Sequence, residues 1–375
     1  MSYRCDALRP VNCPASSWDA LCLHRLVPAL PLEASDLSPG WLSGILGAQV
    51  VDVKVLDKAF ATNQRVRVAL AYAEGEAGPP SLFVKLPSLD PEHRKMIGAS
   101  GMGEREVQFY ADVSSHLELR VPRSHLAATA DDGGFILVLE DLDAAGCTFS
   151  DGSWGITATD AAGALEDLAR FHARFEDPAE RSALAPWLAP PRPQSSERIA
   201  QLLQRVLEEQ RDVLTPAYIA AGELYTGHHG RINDLWDAGP QTYIHGDPHI
   251  GNVFLDDKRV GFFDWGLSRL STHLRDVSYF LTMTVDPDER RRSESELLRL
   301  YLGALRAAGG AEISFDDAWS AHRIQAAYTV LATFLVFMPS YATSDALDLG
   351  NALLRRSELA LEDLEVVDAL RAALI

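Results

Sequence analysis

The chain has 375 residues, 47% of them hydrophobic and 23% charged, with a formal net charge of -19. That composition belongs to a folded globular protein rather than a disordered one, and the length suits one large domain or two lobes. The acidic balance argues against a nucleic-acid partner, whose phosphates need clustered Lys and Arg, and against anionic membrane surfaces.

Cys5, Cys13, Cys22 and Cys147 form no C-x-x-C pair, which argues against a zinc site and fits a reduced, cytoplasmic protein. Arg4, Asp6 and Arg9 are followed by no apolar stretch, so the N-terminus does not read as a signal peptide. The longest apolar run, Ala326 to Met338, falls short of the roughly 20 residues of a membrane span and reads as a buried helix.

In chain order, residues 1–40 read as an irregular extension packing on the body. Ser38-Pro39 opens a short helix over Gly40 to Leu46. Three strands follow: Val50 to Leu56, Arg65 to Ala73 and Ser81 to Leu86, the second alternating Val66, Val68 and Leu70 against Arg65, Arg67 and Ala69. Short turns between them predict an antiparallel meander. The first connection, Asp57 to Gln64, contains no glycine.

Glu104 to His116 reads as a helix and Phe135 to Leu139 as a further strand. Helices dominate after residue 150: Asp160 to Phe175, Glu197 to Leu214, and a helix opened by a Ser293/Glu296 capping box. Arg290-Arg291-Arg292 reads as a solvated helix start. The expected class is α+β: a nucleotide-binding lobe over 41–142 with a small antiparallel sheet, and a larger mostly helical lobe over 143–375. Two lobes make a cleft, and clefts hold ligands.

The chemistry concentrates in Ile244-His245-Gly246-Asp247-Pro248-His249-Ile250-Gly251-Asn252, followed by Phe263-Asp264-Trp265-Gly266, a segment that reads as two short apolar strands around a polar loop. Three oxygen-bearing side chains on neighbouring loops suit phosphoryl transfer. Hard cations bridging phosphates take carboxylate and amide oxygens, here Asn252 and Asp264, and the attacking hydroxyl needs a carboxylate, here Asp247.

The pattern H-G-D-x-H-x-G-N followed by D-W resembles the aminoglycoside phosphotransferase and choline kinase group, small-molecule relatives of protein kinases. The spacing from Asp247 to Asn252 is similar to the kinase catalytic loop, and Asp264-Trp265-Gly266 stands where D-F-G would be. The resemblance implies a bilobal protein-kinase-like fold, ATP with Mg²⁺ and a small-molecule hydroxyl acceptor; Gly246 in place of the arginine of H-R-D, and no A-P-E motif after it, argue against a protein substrate. The resemblance implies Lys85 as the strand lysine contacting the α- and β-phosphates, with Glu106 holding it and Glu104 as the rival. It implies backbone contacts to the adenine in Leu137-Val138-Leu139-Glu140-Asp141-Leu142, assigned to Glu140 and Leu142. Thr62 and Asn63 would face the phosphates in place of a glycine-rich loop. Lys-Leu-Pro at the strand lysine, the E-x-x-F-Y helix, the Leu-Glu-Asp-Leu hinge and Leu274-Arg275-Asp276-Val277-Ser278-Tyr279-Phe280 are most similar to the ecdysteroid-kinase-like branch.

Two readings of other classes compete. His245, Asp247 and His249 form H-x-D-x-H, and alternation along an extended segment would place them on one face as ligands of a metal-dependent hydrolase. The missing glycine loop would also suit a non-catalytic binder. For the acceptor, the acidic balance is compatible with aminoglycosides or choline-like cations. The segments 197–235 and 315–345, expected to wall the acceptor site, are rich in aromatic and aliphatic residues. With the branch resemblance, they favour a hydrophobic or sterol-like alcohol.

Overall fold

The computed structural model describes residues 30–60, 63–129, 134–190, 195–338 and 344–375. Thr62, Cys5, Cys13, Cys22 and most of the 1–40 extension lie outside them. The chain divides into two compact units, one comprising residues 1–117, 121–147 and 264–267, the other 118–120, 148–263 and 268–375.

The first unit is built on an antiparallel sheet of order β1-β2-β3-β5-β4, from Val50–Phe60 (β1), Gln64–Tyr72 (β2), Ser81–Leu86 (β3), Ser124–Thr129 (β4) and Phe135–Glu140 (β5). Helix α1 (Pro39–Leu46) starts where Ser38 Oγ accepts from Trp41 N, and Gly47 ends it at φ 68°. Its Trp41 and Leu42 pack on Val66, Val68, Leu82, Val84, Ile136 and Val138, all buried. Side chains alternate across a sheet. The opposite face of β2 and β3 therefore carries Arg65, Arg67 and Lys85, with Arg65 directly across from Lys85 in the ladder.

Several expectations need correction here. Asp57 to Phe60 is strand rather than connection, because β1 pairs with β2 through Phe60↔Gln64. Helix α2 (Pro91–Ser100), capped by Asp90, and edge strand β4 were not anticipated. The helix expected over 104–116 is α3 (Met102–Gln108), continuing as a π turn over Phe109–Val113 and a 3₁₀ turn over Ser114–His116.

The second unit is mostly helical: α4 (Ala158–Glu176), α5 (Pro178–Leu184), α6 (Ser195–Glu209), α7 (Pro216–Trp236), α8 (His273–Met283), α9 (Pro287–Ala307), α10 (Phe315–Gln325), α11 (Tyr328–Thr333), α12 (Ser344–Asp363) and α13 (Val366–Leu374). One core joins Leu203, Val206 and Leu207 of α6 to Tyr218 and Tyr225 of α7 and to Val330, Leu361 and Leu370. Two small strand pairs carry the motif segment: β6 (Gln241–Ile244) with β9 (Arg269–Thr272), and β7 (Val253–Asp256) with β8 (Arg259–Phe262). The segment thus holds three strands, the first pairing outside it, rather than one pair. The Ala326–Met338 run is broken, α11 giving way to a 3₁₀ turn over Phe334–Phe337. No helix among the described residues is long and apolar enough to cross a membrane.

Helix α9 begins earlier than the Ser293/Glu296 pattern implied. Asp286 caps it, its Oδ1 accepting from Asp288 N at 3.0 Å and Glu289 N at 3.2 Å. Ser293 lies inside the helix and donates to Glu289 O. Arg290 is buried at 1% exposure, not solvated, because Glu294 and Asp363 neutralise it. Asp286→Ala should therefore cost about 1 kcal/mol, and Ser293→Ala less than about 0.5 kcal/mol, in urea unfolding followed by circular dichroism. A larger cost at Ser293 would contradict this helix start.

Candidate active site

Lys85 points from β3 toward α3. Its ammonium donates to Glu106 Oε2 at 2.6 Å and lies 3.4 Å from Asp264 Oδ1. Lys85 and Glu106 are both buried. Glu106 is the glutamate that meets Lys85; Glu104 is exposed and engages Gln108 one turn on. Asp264 sits at φ 63°, a left-handed conformation that a non-glycine residue holds only under constraint. The constraint comes from its neighbours. Trp265 stacks on Phe109 at 3.8 Å, and Arg105 Nε donates to Gly266 O at 2.9 Å. The segment 264–267 is thereby fixed on the α3 side of this unit.

One ammonium thus serves two carboxylates. Burial works against the Lys85 charge, but Asp264 and Glu106 outweigh it and hold its pKa above the ordinary value. Burial pushes the Glu106 carboxyl up to about 7, against the pull of Lys85 and with the Asp264 charge adding to the rise. The cluster lines a cavity of about 50 Å³ together with Asn63, Arg65, Gly103 and Gly266. An ammonium held on a cavity wall can receive phosphate oxygens, and Asp264 offers carboxylate oxygens of the kind hard cations select.

In the second unit, β6 delivers the chain into the loop that carries Asp247. Gly246 turns there at φ 85°, which explains a glycine at the position. The loop hangs on Asp276 of α8: its Oδ2 accepts from His245 N at 2.6 Å and its Oδ1 from Gly246 N at 2.8 Å. Burial opposes the Asp276 charge, but hydrogen bonding from His172 and the backbone N–H groups keeps its pKa below the ordinary value. His172, fully buried, with its pKa lowered chiefly by that burial, also meets Tyr301 Oη at 2.8 Å. Asn252 Nδ2 donates to Asp247 O and to Asp247 Oδ2, both at 3.0 Å. With the amide hydrogens so committed, its oxygen is the atom available to a hard cation, a donor type that Mg²⁺ accepts.

The H-x-D-x-H reading loses its geometry. Gly246 breaks the extended alternation that would align the three side chains. His245 is fully buried, its Nε2 bonded to Phe263 O at 3.0 Å, and His249 Nδ1 accepts from Gly251 N. Among the described residues no group of three His, Cys, Asp or Glu side chains is arranged to hold a metal ion.

Of the other expected nucleotide contacts, Asn63 lines the cavity and Thr62 lies outside the described residues. Glu140 engages Arg123 through both its backbone N–H and its carboxylate. Leu142 is buried and its carbonyl accepts from Cys147 N. Between them Asp141 is structural, gripping Arg67 at 3.0 and 3.1 Å. Sequence reasoning missed Arg65, whose Nη2 comes within 3.9 Å of Asp264 Oδ2, and Tyr279, a buried residue of α8 whose pKa is raised by burial and by the nearby Asp247 charge. Arg65 was recognisable only as the strand residue facing Lys85 across the ladder. Tyr279 was recognisable only as the residue one turn after Arg275 on α8.

The raised Glu106 pKa carries a stability signature. Between its ordinary value of 4.5 and about 7, the folded chain binds more protons at this site than the unfolded chain, so its contribution falls as pH rises through that window. Glu106→Gln removes the titration. Urea midpoints at about pH 5 and about pH 8 should show the wild type losing stability relative to Glu106→Gln at the higher pH. An unchanged or opposite difference would contradict the assignment.

Known proteins place this geometry in context. No curated protein matches the chain significantly. Among solved structures, the fold matches a proposed aminoglycoside phosphotransferase from Ralstonia eutropha JMP134 with TM-score 0.52 and 14% identity, over 87% of this chain and 97% of that one. It matches the choline kinase of Cryptosporidium parvum Iowa II with TM-score 0.52 and 12% identity, over 90% and 94%. These likenesses identify a kinase-like fold. The sequence profile of the phosphotransferase enzyme family matches residues 61–313, which takes in both the Lys85 cluster and the Asp247 loop, and the chain belongs to that family.

Proposed function

We propose that this phosphotransferase moves the γ-phosphoryl group of ATP to a hydroxyl of a small, largely apolar alcohol. The observation that carries the reading is the buried Lys85 ammonium held between Glu106 and Asp264 at the edge of a cavity. Lys85, positioned by Glu106, would bind phosphate oxygens, and Asn63 beside it would donate to them. Backbone groups at Glu140 and Leu142 would meet the adenine. Asn252 and Asp264 would hold Mg²⁺, which when bound neutralises charge on the β- and γ-phosphates.

Asp247 would orient the acceptor hydroxyl and take its proton. The acceptor oxygen then forms the new bond to γ-phosphorus while the bond to the β–γ bridging oxygen breaks, and ADP leaves. Asp247 suits the role because its loop is braced by Asp276 and its carboxylate is set by Asn252, while its side chain keeps 21% exposure.

An apolar acceptor is favoured by what surrounds Asp247 within its own unit. Tyr279 lies near it, Tyr328 lies 5.5 Å from Tyr279 between ring centres, and Trp236 stands edge-on to Tyr328 at 5.6 Å. Arg275 is buried against both Tyr328 and Trp236 inside this aromatic row. The expected outcome is a higher kcat/KM for sterol-like alcohols than for kanamycin in a nucleotide-consumption assay. A clear preference for kanamycin would overturn the acceptor assignment and leave the kinase assignment standing. Asp247→Asn should lower turnover by about 10²- to 10⁴-fold with nucleotide binding retained; near-normal turnover would remove Asp247 from its role.

A further inference from the structure

We propose that Arg65 binds the triphosphate directly, supplying in a side chain what a glycine-rich turn supplies through backbone N–H groups, and that it moves from Asp264 to the phosphates when nucleotide and metal bind. The inference rests on the nucleotide reading above and goes beyond it.

The β1–β2 connection sets the need. Phe60 pairs with Gln64, which leaves a three-residue link, Ala61-Thr62-Asn63, without glycine. A backbone nest that closes on phosphate oxygens depends on left-handed positions that glycine provides cheaply. Another donor has to stand at the mouth of the cavity.

Arg65 is placed to be that donor. It sits directly opposite Lys85 in the β2–β3 ladder, so both cations project from one face of the sheet into the same cavity. Like charges directly opposite each other destabilise a sheet unless an anion lies between them. Here the anion is Asp264, with Oδ1 3.4 Å from Lys85 and Oδ2 3.9 Å from Arg65. The Arg65 contact is in ion-pair range but longer than a hydrogen bond, and the side chain is 46% exposed, so the guanidinium can swing. Lys85 by contrast is anchored on Glu106 at 2.6 Å.

The charges then exchange in one direction. Asp264, holding a divalent cation, would have its carboxylate charge neutralised and no longer be shared by both side-chain cations. Arg65, with no anchor like Glu106, is left facing the cavity, and its planar fork can hold two phosphate oxygens at once.

Equilibrium binding of MgATP and of adenosine to wild type, Arg65→Met and Arg65→Lys tests this. Arg65→Met should weaken MgATP by about 10- to 100-fold, the size of one or two charge-assisted hydrogen bonds, and leave adenosine unchanged. Arg65→Lys should recover part of the loss, and it substitutes for Arg65→Met if the methionine variant does not fold. MgATP affinity within about twofold of wild type, or an equal loss for adenosine, overturns the proposal. Wild-type protein that binds neither compound overturns the nucleotide reading itself, a result separate from the variant's behaviour.

Discussion

A lysine ammonium cannot be buried alone. Removing it from water costs several kcal/mol, and only close, well-aimed carboxylates offset that cost. Lys85 obtains them from two directions, from Glu106 on α3 and from Asp264 far along the chain. Much of the first unit's arrangement follows. Helix α3 must pack against the sheet at β4 and β5 at the depth that sets Glu106 against Lys85. The 264–267 segment must lie against α3, and the Trp265–Phe109 stack and the Arg105–Gly266 bond keep it there. The left-handed backbone at Asp264 is the local strain that this placement demands.

The second unit applies the same logic to a loop. Asp276 is a fully buried carboxylate whose charge is satisfied by His172 and by two consecutive backbone N–H groups. A carboxylate held that way fixes the backbone just before Asp247, and Asn252 fixes the carboxylate of Asp247 itself. The Asp247 carboxylate is therefore oriented by hydrogen bonds on both sides, which suits the role proposed for it in transfer to a positioned hydroxyl.

Much of this was legible in the sequence, for identifiable reasons. The alternation of Val66 and Val68 with Arg65 and Arg67 gave β2 its strand and its two faces. The spacing of Asp247, Asn252 and Asp264 was chemically specific, and Glu106 followed from its place ahead of Phe109-Tyr110. What escaped depends on partners distant in the chain or on backbone hydrogen bonds. Strand β1 runs on through Asp57–Phe60 because β2 pairs with it, though most of those side chains are exposed and carry no hydrophobic pattern. Arg290 reads as surface until Asp363 is brought to it. Strand β6 pairs with β9 across the motif, a pairing that no local periodicity announces. That Gly246 replaces the arginine of H-R-D is visible in the sequence, but the turn that requires it shows only in its φ of 85°.

The central claim is that Asp264, beside Lys85, is a metal-binding carboxylate of a nucleotide site. Electron paramagnetic resonance of Mn²⁺ with ATP, titrated against wild type and Asp264→Ala, tests it most directly. The account predicts that wild type immobilises Mn²⁺ when ATP is present and that Asp264→Ala does not, with its fold intact by circular dichroism. Equal immobilisation of Mn²⁺ with ATP by the folded variant would contradict it.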